Sequence, residues 1–189
     1  MKYIVLEPKL LLATLAGVVG IIFNMIIFQQ TERNRMLIWK IIADSVWLMQ
    51  YLLLGAYAGA GTSIVAIVRS TVFLNRKHKW AQSRLWLFGF LGLALIIGII
   101  TWKGSISLFT SFSSFTAIFS FWIGNPSLTR KLNIPIALSM LVYDSFNLSF
   151  ADIVNQIMSA ASAIIGIIRL DMKKGDLMQI RQDRKPIIK

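Results

Sequence analysis

Three ionisable side chains stand inside apolar runs of this chain. Asp44 lies in "MLIWKIIADSVWLMQYLLL", Arg69 in "SIVAIVRSTVFL" and Asp144 in "IALSMLVYDSFN". At the centre of a bilayer such a group costs about 2.5–3.5 kcal/mol, so it normally has a partner, a water-filled path or a proton to carry. Asp44 lies nine residues past Arg35, and Arg69 eight before Lys77. At a 1.5 Å rise both are about 12–13 Å from a basic cluster, which gives them similar depth on adjacent antiparallel helices. They are expected to pair across that hairpin. Lys40 competes, because it precedes Asp44 by four residues and shares its helical face. Trp47 and Tyr51 continue the face, so Lys40, Asp44, Trp47 and Tyr51 form one stripe directed into a bundle. Three readings stand side by side: a pair that fixes packing, a polar lining for a solute or proton path, and basic side chains that snorkel to the surface.

A second polar cluster, Asp144, Asn147, Asn155 and Gln156, lies nearer the other surface, with Asp152 at a turn. Ser159 and Ser162 continue it. Small and hydroxyl residues in spans more often serve close helix packing than binding, which also suits "SISLFTSFSSFTAIFS" and the Gly17/Gly20 pair. The pathway candidates are therefore Asp44, Arg69, Trp47, Tyr51, Asp144, Asn147 and Asn155.

Catalysis finds little support. His78, the one histidine, lies in a basic loop and the chain has no cysteine, so the His/Cys sets of zinc sites are missing. Neither a nucleophile elbow nor a phosphate-binding glycine loop occurs. Asp44 and Asp144 sit at different depths and make no acid pair. No enzyme activity, cofactor or metal is expected.

The elements that must hold these residues are hydrophobic. Of 189 residues 56% are hydrophobic and 15% charged, with a mean hydropathy of +0.67; soluble domains carry about 25% charged residues. The net charge of +12 could suggest nucleic acid. However, the Lys and Arg residues sit in short loops and in the tail, where they match the positive-inside bias and attract anionic lipid headgroups. Nucleic acid is not expected as a partner.

Seven spans are expected: 10–30, 36–54, 60–74, 85–102, 105–123, 132–147 (with Pro135 in its first turn) and 153–170. The stronger basic cluster of Arg33, Arg35 and Lys40 follows the first run, whereas a signal peptide has its positive charges before it. With the N-terminus outside, 16 of the 20 Lys and Arg fall on the inner side. Lys2, Lys9 and Lys103 fall outside, and Arg69 stays in the membrane. The expected fold is an all-α membrane protein with one transmembrane domain over 1–170 and a basic cytoplasmic tail over 171–189.

An offset of 92 positions sets Tyr51 on Tyr143, Ser70 on Ser162 and Lys77 on Arg169. This suggests two parallel three-helix repeats, 10–77 and 105–170, joined by a linker helix at 85–102. An odd linker gives both halves the same orientation, about an axis along the membrane normal.

That three-one-three plan is similar to the SWEET and PQ-loop sugar transporters, although the paired prolines and Pro-Gln dipeptide of those proteins are missing. "LLLGAYAGAGTSIVAIVRSTVF" resembles the signature of the YgjV-type bacterial inner-membrane family through Leu53, Leu54, Gly55, Tyr57, Ala66, Ile67 and Arg69. "IIGIIRLDMKK" is similar around Arg169, whereas "YDSFNLSFADIV" lacks the Gly-Ser-x-Gly-Gly turn of the pattern. The resemblance implies a multi-pass protein of the bacterial inner membrane. It brings no established activity. Two functions follow: a small-solute transporter or facilitator of SWEET-like plan, or a scaffold whose intramembrane charges only fix packing. The expected partners are the bilayer, anionic headgroups at the tail and a small solute, with a homo-oligomer left open.

Overall fold

The structure, a computed structural model, describes residues 8–102 and 104–172. Seven α-helices account for most of them: α1 (Pro8–Phe28), α2 (Arg33–Leu53), α3 (Tyr57–Leu74), α4 (Arg84–Ile100), α5 (Ser107–Ile123), α6 (Pro126–Phe146) and α7 (Phe150–Gly166). A 3-10 turn at Lys79–Ala81 precedes α4, and one wider π-helical turn, Ile167–Met172, extends α7. The expected bounds hold to within a few residues except at the sixth helix. Gly124 ends α5 in the left-handed region (φ 67°), and the Asn125 side chain then accepts from Ser127 N–H at 3.1 Å. Pro126 occupies the first turn, where its missing N–H is not needed. This stop, cap and start sequence begins α6 six residues earlier than expected. Pro135 therefore lies inside the helix, and Arg130 is a helical residue instead of a loop charge.

Helices joined by short turns pack as antiparallel neighbours: α1 on α2, α2 on α3, α5 on α6 and α6 on α7. The two triplets meet along a broad seam between α1 and α7 and a thin one between α3 and α5. The result is a ring in the order α1, α2, α3, α5, α6, α7. The fourth helix lies outside it against α5, and Phe90 is its buried residue. The fourth helix is thus peripheral.

The ring is polar inside and apolar outside. Asp44, Asn133, Asp144, Ser162 and Ser120 are buried, while Leu11, Leu15, Ile22, Leu138 and Ile157 are exposed. A water-soluble bundle has the reverse arrangement. By length and hydropathy α1, α2 and 150–172 suffice to cross a membrane; 59–74, 84–100 and 107–123 are apolar but shorter. Arg130, Lys131 and Asp144 lower the hydropathy of α6.

Polar side chains hold the broad seam. Asn24 Nδ2 donates to Asn155 Oδ1 at 3.1 Å, Gln29 Nε2 to Ser162 Oγ at 2.9 Å, and Ser162 Oγ to the Met25 carbonyl at 2.6 Å. Such bonds average about 0.6 kcal/mol each in membrane proteins, so together they align helices more than they stabilise them. Packing was the expected use of Ser162, and also of the two glycines: a Cβ at Gly17 would meet Gln50 at 2.7 Å, and one at Gly20 would meet Trp47 at 2.9 Å. The apolar core gathers near one end, where Phe73 packs edge-on against Trp122 and Phe90 at ring distances of 5.4 and 5.7 Å.

Candidate functional site: a two-chambered axial cavity

Inside the ring two cavities adjoin. The outer one, about 410 Å³, is lined from α2, α3, α6 and α7 by Asp44, Trp47, Tyr51, Tyr143, Asp144 and Asp152, among others. The inner one, about 190 Å³, draws on all six ring helices, including Asn24, Lys40, Arg69, Ser120, Asn133 and Ser159. Asn155 and Gln156 line both. Their boundary falls within one helical turn on each wall, between Asp44 and Lys40 on α2, Ala66 and Arg69 on α3, and Gln156 and Ser159 on α7. A third cavity of about 340 Å³ fills the thin seam between α3 and α5 beneath α4, and Arg69 lines it as well.

The chambers differ in charge. Three carboxylates, those of Asp44, Asp144 and Asp152, line the outer chamber together with Tyr51. Among the residues lining the inner chamber are two cations, Lys40 and Arg69, and no acid.

Lys40 Nζ donates to Asp44 Oδ1 and forms an ion pair with it. The expected Asp44–Arg69 bond is therefore not made. The ion pairs among the described residues are Glu32–Arg35, Lys40–Asp44 and Arg130–Asp171. The physical reason is local geometry: Lys40 is one turn away on the same face and reaches the carboxylate without crossing the helix interface. Four buried polar atoms around the chambers are left without a hydrogen-bond partner: Asp44 Oδ2, Asp144 Oδ2, Arg69 Nε and Ser120 Oγ. Buried polar groups are nearly always paired, and exceptions call for a functional explanation.

At one end of the ring arginines cap helix C-termini. Arg33 Nη2 donates to the Phe73 carbonyl at the end of α3, and Arg76 Nη1 to the Trp122 carbonyl at the end of α5, each at 2.5 Å. The Arg76 guanidinium also lies 4.0 Å over the Trp122 ring. Arg130 Nη1 donates to the carbonyls of Phe28 (3.3 Å) and Gln30 (2.8 Å) at the end of α1, while Nε and Nη2 grip Asp171. Cations are favoured at helix C-termini, where carbonyls lack helical partners. These contacts tie the start of α2 to the end of α3, the end of α3 to that of α5, and α6 to the end of α1 and the turn after α7.

Of the expected pathway residues, Asp44, Trp47, Tyr51, Asp144 and Asn155 line the outer chamber, and Arg69 and Asn155 the inner one. Asn147 lines neither. It caps α6, exposed, with its amide donating to the Tyr143 carbonyl at 2.8 Å. The sequence reading missed Asn24 and Asn133 as lining residues. Each is a lone amide in an apolar stretch, a weak signal that becomes specific only once a partner is known. It also did not foresee the ion pair of Arg130 with Asp171. The expected basic tail from Lys173 onward lies outside the described residues, as do Lys2 and Lys103.

The chain belongs to the Imp-YgjV family, described as bacterial inner membrane protein, whose model matches residues 11–174. No curated protein and no solved structure matches the chain.

Proposed function

We propose that this chain, as a member of that inner-membrane family, crosses the bilayer seven times with its N-terminus outside and its C-terminus in the cytoplasm, and passes a small solute along the axis of the helix ring. The observation that carries this reading is the pair of adjoining polar chambers, lined from all six ring helices and holding four unpartnered buried polar atoms. Packing alone leaves those atoms unexplained. The arginine-capped end gathers Arg33, Arg76 and Arg130, which suits the cytoplasmic side under the positive-inside bias. On this reading the protein is caught open to the outside and closed to the inside.

A two-repeat plan is supported by the offset of 92. Ser70 and Ser162 are both 1% exposed, on α3 and α7, and Tyr51 and Tyr143 line the same chamber. Movement of one triplet against the other about the α1–α7 and α3–α5 seams would then alternate access. The scaffold reading draws on one observation, that Lys40 and Asp44 neutralise each other.

A cysteine-free chain permits a direct test. Single cysteines at Thr62 and Tyr143 should react with a membrane-impermeant maleimide from outside, whereas Ser120→Cys should react from neither side until the ring opens. Cysteines at 103 and at the exposed position 131 should label from opposite faces. Labelling of 103 and 131 from one face would end the seven-span topology, and inert cysteines at 62 and 143 would favour the scaffold.

A further inference from the structure

We propose that the axial site takes a small zwitterion, a solute carrying an ammonium group at one end and a carboxylate at the other. This rests on the pathway reading above and assigns the class of solute.

Subtraction of the internal ion pair leaves the relevant charges. Lys40 and Asp44 satisfy each other through Nζ and Oδ1. What remains is two acids in the outer chamber, Asp144 and Asp152, the second accepting from the Ser149 hydroxyl, and one base in the inner chamber, Arg69. Asp144 is 3% exposed and its Oδ2 has no partner; Arg69 Nε is likewise buried and unpartnered. Each chamber adds a second unpartnered atom of matching chemistry. Asp44 Oδ2 accepts in the outer chamber, and Ser120 Oγ, on a fully buried residue, can donate in the inner one.

The order of the chambers disfavours single-charge solutes. An anion suited to Arg69 would first have to pass the carboxylates of Asp144 and Asp152. A cation drawn to those carboxylates would stop at Arg69. Clefts lined by one sign of charge concentrate the opposite sign and repel their own. A zwitterion satisfies both ends at once, and Trp47, Tyr51 and Tyr143 offer aromatic faces to its ammonium. With Asp144 and Arg69 on opposite sides of the chamber boundary, an extended zwitterion fits better than a compact one.

The test uses the full chain, purified in lipid nanodiscs, with 6-aminohexanoate, hexylamine and hexanoate as probes of equal carbon length. Binding is read by thermal shift and calorimetry. The zwitterion should bind at least tenfold more tightly than either single-charge analogue. Arg69→Gln should abolish that preference and leave hexylamine the better ligand, and Arg69→Lys should restore part of it. Asp144→Asn should tilt the preference toward hexanoate. A purely structural role predicts loss of folding and no such exchange of selectivity, so the comparison is confined to variants that remain monodisperse. Hexanoate or hexylamine binding as tightly as the zwitterion would overturn the proposal, as would no binding by the zwitterion. If that failure came with normal outside labelling at positions 62 and 143, the solute class would fall and the pathway stand. Without such labelling both would fall.

Discussion

Arg130 Nη1 lies 2.8 Å from the backbone carbonyl oxygen of Gln30, one hundred residues earlier in the chain. The same guanidinium reaches the Phe28 carbonyl and both oxygens of Asp171, so one side chain ties the end of α1, the start of α6 and the turn after α7. Arg130→Ala leaves two carbonyls unpaired and takes from Asp171 its paired cation, leaving the Ser127 side chain to bond it. Loss of one partner from a buried pair costs about 3–5 kcal/mol, and the partial exposure of Asp171 places the expected loss near the lower figure. Arg130→Lys keeps the charge without the fork and should lie between Ala and the parent. Unfolding in mild detergent measures all three; an Arg130→Ala variant as stable as the parent would remove the clamp.

The Lys40–Asp44 pair is separable from Arg69 by double mutation. Asp44→Asn alone strands Lys40 in the ring interior. Adding Lys40→Gln should recover stability, with a coupling of roughly 1–3 kcal/mol. Asp44→Asn combined with Arg69→Gln should show much weaker coupling. The reverse ranking would restore the hairpin pair that the sequence suggested.

Two glycines are tied to arginines at the capped end. At Gly166 a Cβ would stand 2.5 Å from the Phe28 carbonyl and 2.6 Å from the Arg130 side chain. Gly166→Ala should therefore wedge the α1–α7 seam, at a cost of about 1–3 kcal/mol. Gly124→Ala meets Arg33 and must also hold φ at 67°, which adds about 1–2 kcal/mol of backbone strain. Gly92→Ala, on the outer helix with open space around its Cβ position, serves as the control and should be harmless. Thermal midpoints of the three variants decide it.

The ring itself can be trapped. Asn24 and Asn155 touch across the α1–α7 seam at 3.1 Å, and no native cysteine competes. The double variant Asn24→Cys/Asn155→Cys should cross-link within one chain, by oxidation or with a short bis-thiol reagent. The pair Asn24→Cys/Gly92→Cys should not. Absence of the first product would open the ring.

Helix number was legible in the sequence because apolar runs alternate with basic clusters. The start of α6 was not, even though Gly124, Asn125 and Pro126 spell it out, because Arg130 and Lys131 in its first turns resemble loop charges. Arg130 is helical because its guanidinium finds carbonyls and a carboxylate, a set of partners drawn from both ends of the chain. The stripe of Asp44, Trp47 and Tyr51 was readable from helical periodicity alone. The choice between Lys40 and Arg69 as the partner of Asp44 was not, since it depends on how α3 is rotated against α2. Asn24 and Asn155 gained meaning only through each other, and a single chain without its fold holds no record of which lone amide faces which.

The seam between α1 and α7 sets a clock on biogenesis. Asn24 and Gln29 are made early, yet their partners Asn155 and Ser162 lie 131 and 133 residues further on. At about 5–20 residues per second, roughly 7 to 26 seconds pass before the ribosome supplies them. For that interval the first helix presents amides that lipid cannot satisfy. A chain stopped short of α7 never acquires those partners. The last helix to be made thus covers the first.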